Sequence, residues 1–151
     1  DGAGGSAIEI PAGGAAQPHV SLLGPPDVQR HTREELKLHM RGRAVFNFVL
    51  SHIPASQRAC LERAGMSLDQ IDLFALHQGS IYMLDALVRR VGIPDAKVLK
   101  NMNRYGNTVS STIPLLLAEL QDRDELRGRT VMLSGFGVGL SWSTAIVRFA
   151  P

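Results

Sequence analysis

Apolar and polar positions change their period several times along the chain, and each change marks an element. Ile81, Leu84, Leu87, Val88 and Val91 recur at the spacing of one helical face, and Gly92 and Pro94 stop the run. Ile113, Leu116, Leu117 and Leu120 form a second such stripe, with Pro114 in its first turn. Leu36, Leu38 and Met40 alternate with Lys37 and His39, the period of a half-buried strand. From Gly42 the period lengthens: Val45, Phe46, Val49 and Leu50 fit a helical face that should end near Pro54. A separate short helix is expected from Pro54 to Gly65, with Cys60, Leu61 and Ala64 on its apolar side. Residues 71–76, apolar apart from Asp72, read as a buried strand, entered through the capping-box pattern Ser67-Leu-Asp-Gln70. Residues 130–133 and 142–149 read as two more strands joined by a glycine-rich loop. Residues 1–10 read as a glycine-rich strand, and residues 11–26 as a loop around the short apolar run 20–23.

Strands connected through helices predict an α/β fold, a mixed sheet layered with helices. The 151 residues suffice for one domain with a proper core, assigned here to the whole span 1–151. Hydrophobic content of 44%, charged content of 20% and a net charge of +2 give no long-range field for nucleic acid. No apolar run approaches the ~20 residues of a membrane span. These properties fit a cytoplasmic protein. The single cysteine, Cys60, cannot form an internal disulfide and reads as an inert, small core residue.

The chemistry concentrates in two short segments. His77-Gln78 follows the apolar run, so His77 should sit at the carboxyl end of a buried strand. Asn107 follows Gly106 in Asn103-Arg-Tyr-Gly-Asn107-Thr-Val-Ser-Ser and precedes a helical pattern. A neutral imidazole and a carboxamide are both polarised N–H donors, able to stabilise charge developing on a thioester carbonyl. A histidine at a strand end is more often structural than catalytic, and it is the pairing with Asn107 that raises its standing. His31, His39 and His52 lack ligand spacing, so no metal is expected. Gly135-Phe-Gly-Val-Gly139 resembles a nucleotide fingerprint only superficially, because a strand pattern and not a helix follows it. Between strands, such glycines let backbone approach a ligand closely.

These segments, with Ser134-Gly-Phe-Gly-Val-Gly-Leu-Ser-Trp142, Asp1-Gly-Ala-Gly-Gly and Met40-Arg-Gly-Arg-Ala-Val-Phe46, resemble the C-terminal half of a β-ketoacyl-acyl-carrier-protein synthase III. That family comprises condensing enzymes of the thiolase fold. The resemblance implies a thiolase-like half that packs on a similar N-terminal half carrying the catalytic cysteine. It implies an acyltransferase that condenses an acyl thioester with a malonyl thioester, with loss of carbon dioxide. His77 and Asn107 would then donate to the malonyl thioester carbonyl, with the His77 proton on Nε2. The Val138 amide would form the oxyanion hole of the acyl-cysteine. Gly42, Arg43, Phe46, Gln78, Phe136, Gly137 and Gly139 would contact substrate, with Phe136 near the nucleophile. The resemblance further implies no tightly bound cofactor, coenzyme A or acyl-carrier-protein thioesters as substrates, and a homodimer.

The chain departs from that pattern at several positions. Tyr82 stands where a basic residue is usual, Arg43 where a small polar one is, and Ser134-Gly135 where a glutamate commonly precedes the glycine loop. Recognition of the carrier or pantetheine group is affected most, although Arg41, Arg43 and Lys37 could meet acidic groups. The departures point to secondary or polysaccharide-linked acyl chemistry as much as to fatty-acid initiation. Two other readings are a thiolase-fold acyltransferase making esters or amides, with His77 as general base, and a non-catalytic partner subunit. The retention of both His77 and Asn107 counts against the second of these.

Overall fold

The computed structural model describes residues 2–14 and 31–151. These fall into two compact units. One comprises the described residues up to Val45 with Val138–Leu140, the other Phe46–Gly137 with Ser141–Pro151.

In the first unit, a 3-10 turn at Gly2–Ala7 leads into strand β1 (Ile8–Glu9), which pairs antiparallel with strand β2 (His39–Met40). The strand expected over residues 1–10 is thus mostly a tight helical turn. Its glycines carry no side chains to pack on a pleated surface. The alternation at Leu36, Leu38 and Met40 yields only two residues of strand, and Leu38 and Met40 are exposed. The Arg41 amide donates to Ala7 O at 2.8 Å, and its guanidinium donates to Ser6 Oγ at 2.8 Å. The apolar run at 20–23 lies outside the described residues.

Helix α1 runs unbroken over Gly42–Ala64 with Pro54 inside it, where the sequence led us to expect two helices. A proline in a helix interior costs about 3 kcal/mol. Here Val45, Val49, Ile53, Gln57 and Leu61, spaced four apart, form one buried stripe across the proline. Burial on both sides outweighs the lost hydrogen bond. Leu61 is buried as expected, but Cys60 is only half-buried and Ala64 is exposed.

The second unit is built on a three-stranded mixed sheet. Strand β3 (Leu73–Leu76) pairs parallel with β4 (Thr130–Gly137), which pairs antiparallel with β5 (Ser141–Arg148). Between β3 and β4 lie helix α2 (Ile81–Val91), the short α3 (Met102–Tyr105) and α4 (Thr112–Asp122). Ser80 caps α2 by accepting from the Met83 amide, and Gly92 ends it in the left-handed conformation at φ 82°. Ser67 and Gln70 form the expected start signal: the Ser67 amide donates to Gln70 Oε1 at 2.8 Å. Leu116, Leu120 and Leu126 pack with Ala75 and Val131 into the core beneath the sheet. Among the described residues no helix is long and apolar enough to cross a membrane.

Candidate active site

His77 is the first residue after β3, and its amide donates to Ser134 O at 3.0 Å, extending the β3–β4 ladder by one step. The side chain therefore emerges at the carboxyl end of parallel strands, where α/β sheets place their ligands. Its Nδ1 lies 2.7 Å from Thr112 Oγ1, at the start of α4. The Phe136 ring on β4 meets the imidazole edge-on, with centroids 5.1 Å apart and planes at 88°. Burial pushes the His77 pKa below the ordinary histidine value, so the ring is neutral at neutral pH.

Asn107 reaches the same place from the loop between α3 and α4. The Val109 amide donates to Asn107 Oδ1 at 2.9 Å, so the carbonyl end of the carboxamide is held and its NH₂ is the end presented. That NH₂ points at Gly79 O, 3.5 Å away. Gly79 also borders His77: a methyl group on its Cα would stand 3.2 Å from His77 Nε2. Both candidate donors thus converge on Gly79. The turn that anchors Asn107 is strained, with Val109 at φ 54°, a left-handed conformation that β-branched residues rarely adopt.

Gln78 does something other than what its sequence position implies. Its side chain is fully buried, and Nε2 donates to Leu76 O at 2.8 Å and Leu99 O at 3.2 Å. Its Oε1 accepts from the Asn101 amide at 3.3 Å. With both ends of the amide spent on main chain, Gln78 is a bracket joining the strand end to the segment before Asn107. The bracket continues outward. Asn101 Nδ2 donates to Glu119 Oε2 at 3.2 Å, and Tyr105 Oη donates to Glu119 Oε1 at 3.0 Å. Arg104 pairs with the same carboxylate.

Phe46 stacks on Tyr82, with centroids 5.4 Å apart. Phe136 and Gly137 line a cleft with Trp142 and Ser143. Gly42 and Arg43 are exposed at the start of α1, and Val138 and Gly139 lie in the 3-10 turn Val138–Leu140; all four belong to the first unit. In the glycine segment only Gly139, at φ 77°, needs glycine for its backbone. β4 runs on through Gly137, so the expected loop shrinks to three residues. Thr112, Val109 and Gly79 are the site residues that sequence reasoning missed. Only Gly79, directly after His77-Gln78, carried a local signal.

A neutral imidazole and an anchored carboxamide lie at the edge of a helix-covered mixed sheet, the α/β layering of a thiolase-like half. The chain belongs to the 3-oxoacyl-[acyl-carrier-protein] synthase III family: residues 61–149 match the family model described as its C terminal. It is 41% identical to the β-ketoacyl-[acyl-carrier-protein] synthase III of Lactococcus lactis subsp. lactis over 118 residues, covering 76% of this chain and 36% of the relative. Against the enzyme of that name from Synechococcus sp. it is 36% identical over 150 residues, covering 99% and 43%. A crystal structure of a 3-oxoacyl-(acyl-carrier-protein) synthase III superposes with a TM-score of 0.85 at 38% identity, covering 99% of this chain and 45% of that one. The Burkholderia xenovorans 3-oxoacyl-(acyl-carrier-protein) synthase superposes with a TM-score of 0.83 at 34% identity, covering 100% and 42%. The chain therefore spans less than half the length of these relatives.

Proposed function

We propose that this chain supplies the decarboxylation machinery of a β-ketoacyl-acyl-carrier-protein synthase III. The observation that carries the reading is the convergence of His77 Nε2 and the Asn107 NH₂ on Gly79. A cysteine thiolate outside these residues attacks an acyl thioester, forms the acyl-enzyme and releases the carrier thiol. A malonyl thioester then enters. As its carboxylate leaves as carbon dioxide, the electron pair passes to the thioester oxygen, where His77 Nε2–H and Asn107 Nδ2–H stabilise the enolate. The enolate carbon attacks the acyl-cysteine carbonyl, the cysteine thiolate departs, and a β-ketoacyl thioester results.

By family likeness the Val138 amide serves the acyl-cysteine oxyanion, and Gly42, Arg43 and Phe46 face the pantetheine arm. Phe136 instead buttresses the imidazole, and Gly137 and Gly139 shape the adjacent turn. Acyl-carrier-protein and coenzyme A thioesters are the substrates, no bound cofactor or metal takes part, and the enzyme works as a cytoplasmic homodimer. Cys60, half-buried with Sγ 3.8 Å from Thr144 O, takes no part; acyl transfer abolished by Cys60→Ala would refute this assignment.

The test uses the intact enzyme. Mass spectrometry with an acyl thioester follows the acyl-cysteine, and carbon dioxide release from a malonyl thioester follows decarboxylation. His77→Ala and Asn107→Ala should each lower decarboxylation by about 10²-fold or more, the scale for losing one oxyanion donor, while acylation survives better. Equal loss of both half-reactions would assign these residues to the fold or to nucleophile activation instead.

A further inference from the structure

His77 Nδ1, the Thr112 hydroxyl and the Val109 carbonyl stand in a row and share too few protons to be served in only one way. Thr112 Oγ1 lies 2.7 Å from His77 Nδ1 and 3.1 Å from Val109 O. A hydroxyl has a single hydrogen to give. If it donates to Nδ1, a neutral imidazole carries its proton on Nε2. If it donates to Val109 O and accepts from Nδ1–H, then Nε2 is left with a bare lone pair. The first arrangement makes His77 a hydrogen-bond donor, as an enolate requires. The second makes it a base.

We propose that Thr112 is a positioning residue that sets the His77 tautomer, its hydroxyl donating to Nδ1 so that Nε2–H is presented at the site. This rests on the decarboxylative reading above. The contact to Nδ1 is the shorter of the two. Thr112 is 2% exposed, so water cannot take the place of its hydroxyl against the ring. The Val109 residue itself is 66% exposed, in contrast to the buried threonine. Val109 also donates its amide to Asn107 Oδ1. A single turn therefore orients both donors, one through its N–H and the other through the residue that competes for its carbonyl.

The experiment compares the intact enzyme with its Thr112→Ser and Thr112→Val variants, with histidine labelled at both ring nitrogens. Wild type and Thr112→Ser should show His77 with a protonated Nε2 and an unprotonated Nδ1. Thr112→Val should lose that signature for a mixture of tautomers and lower malonyl decarboxylation by about tenfold or more, with KM for the malonyl thioester little changed. A purely structural role would lower the melting temperature of Thr112→Val without moving the nitrogen signals. A protonated Nδ1 in the wild type overturns the proposal, and so do unchanged signals and rate in Thr112→Val. The wild-type spectrum decides even if Thr112→Val does not fold. His77→Ala serves as the separate control: decarboxylation that survives it refutes the proposed function, whereas decarboxylation lost in His77→Ala and intact in Thr112→Val refutes only the role of Thr112.

Discussion

Gly79 and His77 are packed so closely that the smallest side chain would intrude: a Cβ on Gly79 would lie 3.2 Å from His77 Nε2 and 3.3 Å from its Cδ2. The glycine is needed for this approach, since its backbone is not in the left-handed region. Gly79→Ala should push the imidazole by a few tenths of an ångström and disturb the Asn107 NH₂ that faces Gly79 O. Misplacing a catalytic group by 1 Å costs about 10²-fold, so a loss of about tenfold in decarboxylation is expected. Thermal melting should change little. Full activity in Gly79→Ala, measured by carbon dioxide release, would separate the two donors from Gly79.

The histidine should also leave a mark on stability. Burial lowers the His77 pKa in the folded state, so the unfolded chain binds its proton more readily. His77 therefore contributes stability that is present above its unfolded pKa of about 6.5 and is lost as pH falls through that value and on through the lower folded one. Melting temperature of the intact protein should decline from pH 7 towards pH 5, and His77→Gln should flatten part of that decline. Following the His77 ring protons by NMR gives the folded-state pKa directly. A midpoint above the ordinary histidine value would reverse the sign.

Gln78 invites a test that separates bracket from ligand. Gln78→Leu would strip partners from Leu76 O, Leu99 O and the Asn101 amide in a buried setting. Leaving a buried polar group unsatisfied costs about 1–3 kcal/mol, and roughly 2–4 °C of Tm accompanies each kcal/mol at this size. A drop of several degrees is expected in the intact protein, together with lower kcat as the Asn107 segment loosens. An unchanged melt with a raised KM alone would make Gln78 a substrate contact after all.

What could be read from sequence divides along a physical line. The α2 stripe was legible because its period and the stop at Gly92 agree. The break expected at Pro54 was not there, because a proline is a local signal and the buried stripe from Val45 to Leu61 depends on tertiary packing. In the site, His77 and Asn107 stood out through residue type and context. Thr112 did not, because a threonine becomes a partner of Nδ1 only when β3 and α4 meet. The main-chain partners of Gln78 were hidden for the same reason. The direction of its amide is fixed by how the chain crosses at Leu99 and Asn101.

The sheet itself sets the last expectation. β4 is central and largely buried, with Val131 and Met132 fully so. β5 lies at the edge of its sheet, none of its residues is buried, and Trp142 is 38% exposed. A long edge strand with Ile146 and Val147 only half-covered offers unpaired backbone and apolar surface to any partner. The 151 residues expressed alone should therefore self-associate, at the tens of micromolar or so where exposed edges aggregate. Co-expression with the remainder of the enzyme should replace that association with one defined species. Sedimentation velocity distinguishes the outcomes: a monodisperse monomer of the isolated chain would mean that this face needs no cover.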